Sequence, residues 1–115
     1  MADCLFCKIV TGEVPAKVIK RSEDALAFRD IDPKAPVHVL VIPTGHVPAV
    51  RDAKGTEGGQ LLGDLLRFAA ELATDLGLDA EGYRIVTNTG RNAGQSVDHL
   101  HFHILGGRKL TWPPG

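Results

Sequence analysis

The feature that most constrains this chain is a run of seven residues near its C-terminus, 99–105, in which histidine and apolar side chains alternate. Successive side chains of a β-strand point to opposite faces of the sheet, so a period of two predicts a strand. Its apolar face would hold Leu100, Phe102 and Ile104. Its polar face would hold His99, His101 and His103, with neighbouring imidazoles about 7 Å apart. We therefore expect one face to pack into a core and the other to carry three titratable rings.

Other segments predict four further strands and two helices. The strand candidates, rich in apolar residues and bounded by turn signals, are 17–20, 25–28, 37–42 and 83–87. Apolar residues at helical spacing predict a long helix over 60–76 that Gly77 ends, and 4–10 is predicted as a short helix. One long helix inserted among hairpin-like strands favours an α+β fold with a mostly antiparallel five-stranded sheet over a doubly wound parallel sheet.

Length and composition are those of one globular domain spanning residues 1–115, with 43% hydrophobic and 23% charged residues. The formal net charge of -1 leaves no basic surplus, so we expect no nucleic acid as a partner. No apolar run approaches the roughly 18–20 residues that a membrane span needs, and 1–4 lacks the basic start and apolar core of a signal peptide. We expect no membrane partner and a cytoplasmic location.

Three imidazoles on one strand face favour catalysis at a phosphorus centre. They cannot all be cationic at neutral pH without mutual repulsion, so at least one should stay neutral and nucleophilic. The loop 88–96 runs directly into this strand, and its glycines would let backbone amides approach an anion. The Ser96 hydroxyl and the Gln95 and Asn88 amides can orient phosphoryl oxygens. A metal-binding strand and a merely hydrated strand are the alternatives.

Several motifs together resemble one known family. Besides the alternating histidines, the similar segments are 28–31, 38–43, 94–97, 106–108 and 112–115. They resemble the histidine-triad (HIT) proteins, and the Hint branch in particular, over nearly the whole chain. The resemblance implies the HIT-like fold.

The resemblance also implies a reaction. It is hydrolysis or transfer at the α-phosphate of a nucleotide through a covalent nucleotidyl-histidine, and Hint proteins favour purine nucleoside phosphoramidates such as adenosine monophosphoramidate. His101 would be the nucleophile, and the other implied catalytic residues are His38, His103 and Ser96. The implied substrate-binding residues are Phe6, Phe28, Asp30, Ile31, Asn88, Gly94, Gln95, Val97 and Trp112. The alternatives are a dinucleoside polyphosphate hydrolase, a nucleotidyl transferase of the same family, or a non-catalytic nucleotide- or zinc-binding interaction module.

The two cysteines of the chain, Cys4 and Cys7, form a C-x-x-C motif that favours a metal over a disulfide scaffold. A thioredoxin-like redox motif would require a preceding strand, which the sequence does not predict. Once the resemblance assigns the other histidines to phosphate chemistry, His46 and His99 remain, and this ligand set suits structural zinc. Some bacterial members of the family are similar in this pairing. Two small buried cysteines beside a surface histidine are the alternative.

A homodimer is the final expectation. A sheet edge and the segment 110–115, whose prolines cannot continue a strand or helix, need a partner surface. We therefore expect the sheet to extend across two copies. The family resemblance implies that 110–115 is an extended C-terminal arm that reaches toward the active site of the partner.

Overall fold

A computed structural model of the chain describes residues 3–115. Its helices and strands are α1 (Leu5–Thr11), β1 (Val18–Arg21), β2 (Ala25–Arg29), β3 (Val37–Pro43), α2 (Gly55–Asp75), β4 (Tyr83–Val86) and β5 (Phe102–Gly106). Two single 3₁₀ turns lie at Val50–Asp52 and Arg91–Ala93. The strands form one antiparallel sheet in the order β1-β2-β3-β5-β4. The predicted α+β fold with a long helix and a short N-terminal helix is confirmed.

The two faces of the sheet bury different side chains because alternate residues of β2 and β3 point in opposite directions. Val39 and Val41 of β3 pack with Leu65 and Leu72 of α2 in the larger core. Leu40 and its neighbours on the other face pack under α1 in a smaller core whose buried members are Phe6, Ile9, Leu26, Phe28, Leu40 and Ile42. Each helix therefore covers one face, and α1 covers the face that also carries the histidines.

Helix α2 begins five residues before its predicted start. The extra residues, 55–59, are Gly-Thr-Glu-Gly-Gly, which carry no apolar stripe and have weak helix propensity. Packing accounts for one of these glycines, since a Cβ on Gly58 would lie 2.2 Å from the backbone carbon of Ala53. The helix ends at Asp75, and Gly77 follows with a φ of 75°, as a helix stop requires.

The predicted strand over 99–105 is shorter than expected. Regular pairing with β3 begins only at the Val41–Phe102 pair, so His99, Leu100 and His101 precede β5. The Leu100 amide donates instead to the Val47 carbonyl at 2.6 Å. The predicted alternation of faces still holds, because Leu100 lies in the larger core with Phe102 and Ile104.

The C-terminal segment lies along β4. The Arg84 side chain donates to the Thr111 carbonyl at 2.9 Å, and its guanidinium lies 5.7 Å from the centre of the Trp112 ring. Trp112 remains 79% exposed. Across residues 3–115, neither helix is long and apolar enough to cross a membrane.

Candidate active site and metal centre

Three histidines meet on the sheet face that α1 covers. His38 of β3 and His103 of β5 are brought together because Leu40, two residues after His38, pairs with His103 across the two strands. His38 Nε2 and His103 Nδ1 are 2.9 Å apart, and the His101 ring centre lies 5.1 Å from that of His103. The three histidines that the sequence assigned to catalysis therefore lie together, although His38 precedes His101 and His103 by more than 60 positions in the chain.

His101 is oriented by the backbone. Its Nδ1 lies 2.7 Å from the carbonyl oxygen of His99, and the side chain is only 4% exposed. A carbonyl oxygen only accepts hydrogen bonds, so Nδ1 must carry the proton and Nε2 keeps its lone pair. The Phe6 ring packs edge-on against this imidazole at 5.1 Å between ring centres. The ring is thus held in the tautomer that a nitrogen nucleophile requires.

The proton positions of the other two rings follow from the same reasoning. The Lys34 amide donates to His38 Nδ1 at 3.0 Å, so a neutral His38 carries its proton on Nε2. That N–H points at His103 Nδ1, with the Asp30 carboxylate 3.3 Å away as a second acceptor. His103 Nδ1 then accepts, which leaves the proton of His103 on Nε2. The site therefore pairs a free nitrogen lone pair on His101 with an N–H donor on His103.

Burial keeps His38 and His103 uncharged at neutral pH. Desolvation, followed by the neighbouring imidazoles of His101 and His38, lowers the pKa of His103 to about 4, although the Asp30 carboxylate opposes the shift. Desolvation also lowers the pKa of His38, and Asp30 again opposes it. An anionic phosphate can therefore bind beside two uncharged rings that keep the tautomers derived above.

The cluster of Asp30, His38 and His103 has ligand atoms close enough to consider a metal. Two imidazole nitrogens bound to one tetrahedral zinc at the usual bond lengths would be about 3.3 Å apart. The observed 2.9 Å between His38 Nε2 and His103 Nδ1 fits a direct hydrogen bond better. These residues are therefore better described as a hydrogen-bonded network than as a metal site.

The residues expected around a base and ribose lie beside this network. Phe6 and Phe28 are buried and contact each other edge-to-face, with ring centres 5.5 Å apart. Ile31 projects into solvent and is 98% exposed. Asp30 Oδ1 accepts the Asp32 amide at 2.8 Å, which closes a tight turn and leaves Oδ2 facing His38. Of these three apolar side chains, only that of Ile31 is open to solvent.

The loop before the histidines is braced by one of its own side chains. Gln95 accepts the Gly90 amide at 2.9 Å and donates to the carbonyls of Pro48 and Val97 at 2.7 and 3.2 Å. Gly94 has a φ of 95°, a conformation that favours glycine. The amide of Gln95, expected to contact phosphate, therefore supports the loop in this structure.

Other predicted substrate residues flank this loop. Asn88 is half-buried just after β4, and Val97 packs against the smaller core. Ser96 is exposed and lines a cavity of about 580 Å³ together with His46 and Asp98. Within this chain Trp112 contacts Arg84 of the edge strand rather than the histidines.

The four predicted metal ligands come together at the start of α1. Cys4 caps this helix by accepting the Cys7 amide on Sγ at 3.3 Å, so both thiols lie at its first turn. His46 follows β3, and the fully buried His99 precedes β5. One ligand atom from each of the four lies within 4.8 Å of every other.

The distances and tautomers fit a tetrahedral zinc site. The sulfur–nitrogen separations are 3.3 Å for Cys4 to His99, 3.6 Å for Cys7 to His99 and 3.4 Å for Cys7 to His46, all through Nδ1. Tetrahedral zinc with ordinary bond lengths would place sulfur and nitrogen about 3.6 Å apart. His99 Nε2 donates to the Pro43 carbonyl at 3.0 Å, which leaves Nδ1 free as a ligand. Without a cation, burial and the neighbouring Cys4 raise the pKa of the Cys7 thiol.

Several groups that support the site could not be identified from the sequence, and most of them act through the backbone. The Lys34 amide and the carbonyls of Pro43 and His99 fix three imidazoles, and residue type gives no sign of such contacts. The Thr87 hydroxyl, which donates to the His101 carbonyl at 2.8 Å, also gave no signal. Arg108 belongs to the segment 106–108 that resembles the family, and the sequence alone indicates no contact for it. Its side chain donates to the Lys34 carbonyl at 2.9 Å and so steadies the turn beside His38.

Comparison with known proteins identifies the class. Residues 11–110 match the HIT domain. An uncharacterized HIT-like protein of Synechocystis is 48% identical over 113 residues, which cover 98% of this chain and 97% of that protein. The protein belongs to the HIT family.

Solved structures agree with this assignment. The crystal structure of a HIT family hydrolase from Legionella pneumophila superposes with a TM-score of 0.94 at 48% identity, covering 98% of this chain and all (100%) of the other. A histidine triad nucleotide-binding protein from Candida albicans superposes with a TM-score of 0.82 at 34% identity, covering 96% of this chain and 83% of the other. The fold is therefore that of the HIT family hydrolases.

Proposed function

We propose that this protein hydrolyses purine nucleoside 5'-phosphoramidates, such as adenosine monophosphoramidate, to the nucleoside monophosphate and the free amine. One observation carries the proposal: His101 offers an Nε2 lone pair beside a neutral His103 that offers an N–H. A nucleophile and a hydrogen-bond donor side by side suit attack on a phosphoryl group, whose oxygens gain charge in the transition state. The nucleotide-binding description of the Candida albicans relative is in keeping with a nucleotide substrate.

The proposed reaction has two displacements at the α-phosphorus. His101 Nε2 first forms a bond to phosphorus while the bond to the amine nitrogen breaks, and the amine takes up a proton from solvent as it leaves. Water then attacks phosphorus, the bond to His101 breaks, and water releases a proton that balances the first. The Nδ1–H of His101 donates to the His99 carbonyl throughout, and this hydrogen bond stabilises the positive charge that the ring carries in the intermediate.

The neighbouring residues have supporting roles in this scheme. The His103 N–H binds a phosphoryl oxygen and is held in that tautomer by His38 and Asp30. The exposed hydroxyl of Ser96 contacts the phosphate on the side from which the amine leaves. Gln95 acts by bracing the loop.

Nucleoside binding falls to the groups beside Asp30. The second oxygen of Asp30 accepts a ribose hydroxyl, and Ile31 contacts the base over the packed phenylalanines Phe6 and Phe28. The remaining proposed contacts come from Asn88, Gly94, Val97 and, in a dimer, Trp112 of the arm 110–115.

We also propose that Cys4, Cys7, His46 and His99 hold a structural zinc ion. Zinc in a closed set of four protein ligands stabilises the fold and takes no part in bond making. These ligands would join the first turn of α1 to the segments after β3 and before β5. Metal analysis of protein purified without chelator should give about one equivalent of zinc. A content near zero would refute this part of the proposal.

A homodimer completes the proposal. Leu66 of α2 and Trp112 of the arm are large apolar residues that are 43% and 79% exposed, and β4 is an edge strand among the described residues. Association of two copies along β4 would extend the sheet and cover such surfaces. Sedimentation equilibrium should therefore give twice the chain mass.

The activity is tested by following adenosine monophosphoramidate with phosphorus NMR. His101→Ala should slow turnover by about three orders of magnitude or more, as removal of a nucleophile does. Arg67→Gln, an exposed change on α2, is the matched control and should retain the wild-type rate. Equal turnover by wild type and His101→Ala would reject the assignment. Cleavage of dinucleoside polyphosphates in preference to the phosphoramidate would replace the substrate class.

A further inference from the structure

The segment that carries the nucleophile lacks the support of the sheet. Pairing between β3 and β5 begins at Phe102, and pairing between β4 and β5 begins at His103. His99 and His101 therefore lie beyond the regular ladder. The backbone here is fixed by single contacts, such as the Leu100 amide to Val47 and the Thr87 hydroxyl to the His101 carbonyl. The position of the His101 ring depends on what else holds this segment.

The side chain of His99 is the most firmly held group in the segment. It is fully buried, its Nε2 donates to the Pro43 carbonyl, and its Nδ1 faces Cys4 at 3.3 Å and Cys7 at 3.6 Å. The backbone carbonyl of this same residue accepts the Nδ1–H of His101 at 2.7 Å. One residue thus contacts the cysteine cluster through its ring and the nucleophile through its backbone.

Helix α1 provides a second connection. Phe6 lies between the two cysteines in sequence, and its ring centre is 5.9 Å from that of His99 and 5.1 Å from that of His101. Fixing Cys4 and Cys7 therefore also fixes the aromatic ring that packs on the nucleophile. Both connections lead from the cysteine cluster to the same imidazole.

We propose that His99 is a positioning residue that couples metal binding at Cys4, Cys7, His46 and His99 to nucleotide binding at His101. With its ring held as a ligand, His99 presents its carbonyl at a fixed place, and His101 keeps the Nδ1–H tautomer that the nucleotide site needs. With the metal removed, the two imidazoles are joined to the two thiols only by sulfur–imidazole contacts, which are weak hydrogen bonds. The His99 carbonyl and Phe6 then move together, and the ordering of His101 is lost. The inference rests on the proposed zinc site and nucleotide site, and it adds their energetic coupling.

Coupling of this kind is reciprocal, so it can be measured without turnover. Zinc affinity is determined by competition with a chromophoric chelator, with and without saturating adenosine 5'-monophosphate. We expect the nucleotide to raise zinc affinity about fivefold or more, and zinc to raise nucleotide affinity by the same factor. Nitrogen NMR of the imidazoles provides a direct second readout: His101 should be a single Nδ1–H tautomer with zinc and a mixture of tautomers after its removal.

The variant His101→Ala tests the route. It removes the Nδ1–H that the His99 carbonyl accepts and keeps all four metal ligands, so it should bind zinc while the nucleotide changes zinc affinity less than about twofold. A wild-type protein that binds zinc with no response to nucleotide, and whose His101 spectrum is the same with and without zinc, overturns the inference. So does a wild-type protein that takes up no zinc.

These outcomes separate the inference from the proposed activity. Coupled binding in a protein that fails to cleave phosphoramidates would refute the proposed reaction and leave the role of His99 standing. Normal cleavage by a protein without coupling would refute only the role of His99.

Discussion

The buried state of His103 makes the stability of the protein depend on pH in a calculable way. The pKa of this ring is about 4 in the folded chain, against an ordinary value of 6.5. Because the folded pKa is the lower one, the unfolded chain binds the proton more tightly, and protonation favours unfolding. The stability that the protein has with a neutral His103 is therefore fully present above pH 6.5, and it is lost as the pH falls from 6.5 through 4.

The magnitude follows from linkage. When the pH falls from about 7 to about 4.5, protonation of a ring with these two pKa values lowers the free energy of unfolding by about 2.4 kcal/mol. His103 is half-buried rather than fully buried, so solvent screening reduces this to about 2 kcal/mol. The variant His103→Gln has no titrating ring. Its free energy of unfolding should therefore fall by about 2 kcal/mol less than that of the wild type over the same range.

Urea unfolding followed by far-ultraviolet circular dichroism measures the free energy of unfolding of wild type and of His103→Gln at each pH. The protein is kept in the same metal state throughout. Arg67→Gln, which changes an exposed residue of α2, should show the wild-type pH dependence. If His103→Gln and wild type lose the same free energy on acidification, His103 is not held neutral by burial. The conclusion that burial lowers the pKa of this ring would then have to be abandoned.

Three further predictions concern packing, backbone and metal. Leu65→Ala in the larger core should lower the free energy of unfolding by about 2–5 kcal/mol in urea titrations. Glu71→Ala, which changes an exposed residue of α2, should cost far less, and equal losses would contradict the described core. Gly107→Ala should lower the free energy of unfolding by at least about 1 kcal/mol, because Gly107 has a φ of 90° that alanine adopts only with strain. Gly45→Ala, where a Cβ would meet no other atom, should change it by less than about 0.5 kcal/mol. No loss of stability in Gly107→Ala would contradict the described conformation of this glycine. Removing zinc with a chelator should destabilise the fold, by about 2.7 kcal/mol relative to zinc at a hundredfold excess over its dissociation constant, and an unchanged melting temperature would argue against a structural metal.

Much of the fold could be predicted from the sequence because local patterns and tertiary packing agree. Most of the apolar stripe of α2 is buried, as its helical period predicts, and the β-branched run of β3 is buried as a central strand. The start of α2 was missed because residues 55–59 have no periodicity and are positioned by contact with the preceding turn. The start of β5 was placed too early because alternation reports which face a side chain takes and carries no information on where ladder hydrogen bonds begin.

The residue types of the candidate site could be predicted from the sequence, but the contacts that hold these residues in place could not. His38 was assigned from family resemblance, and its approach to His103 depends on strand register, which the sequence alone does not fix. The tautomers depend on backbone groups of Lys34, His99 and Pro43 that any residue type could supply. Gln95 was expected at the phosphate, and the structure gives its amide partners within the loop and at Pro48.

The measurement that tests the central claim most directly is capture of the reaction midway. Wild-type protein is mixed with adenosine monophosphoramidate, quenched within milliseconds, and digested for mass spectrometry under conditions that preserve nitrogen–phosphorus bonds. We predict an adenylyl group on His101 that forms and disappears at rates compatible with turnover. An adenylyl group on another residue, or turnover with no adenylated protein at any time, would contradict the account.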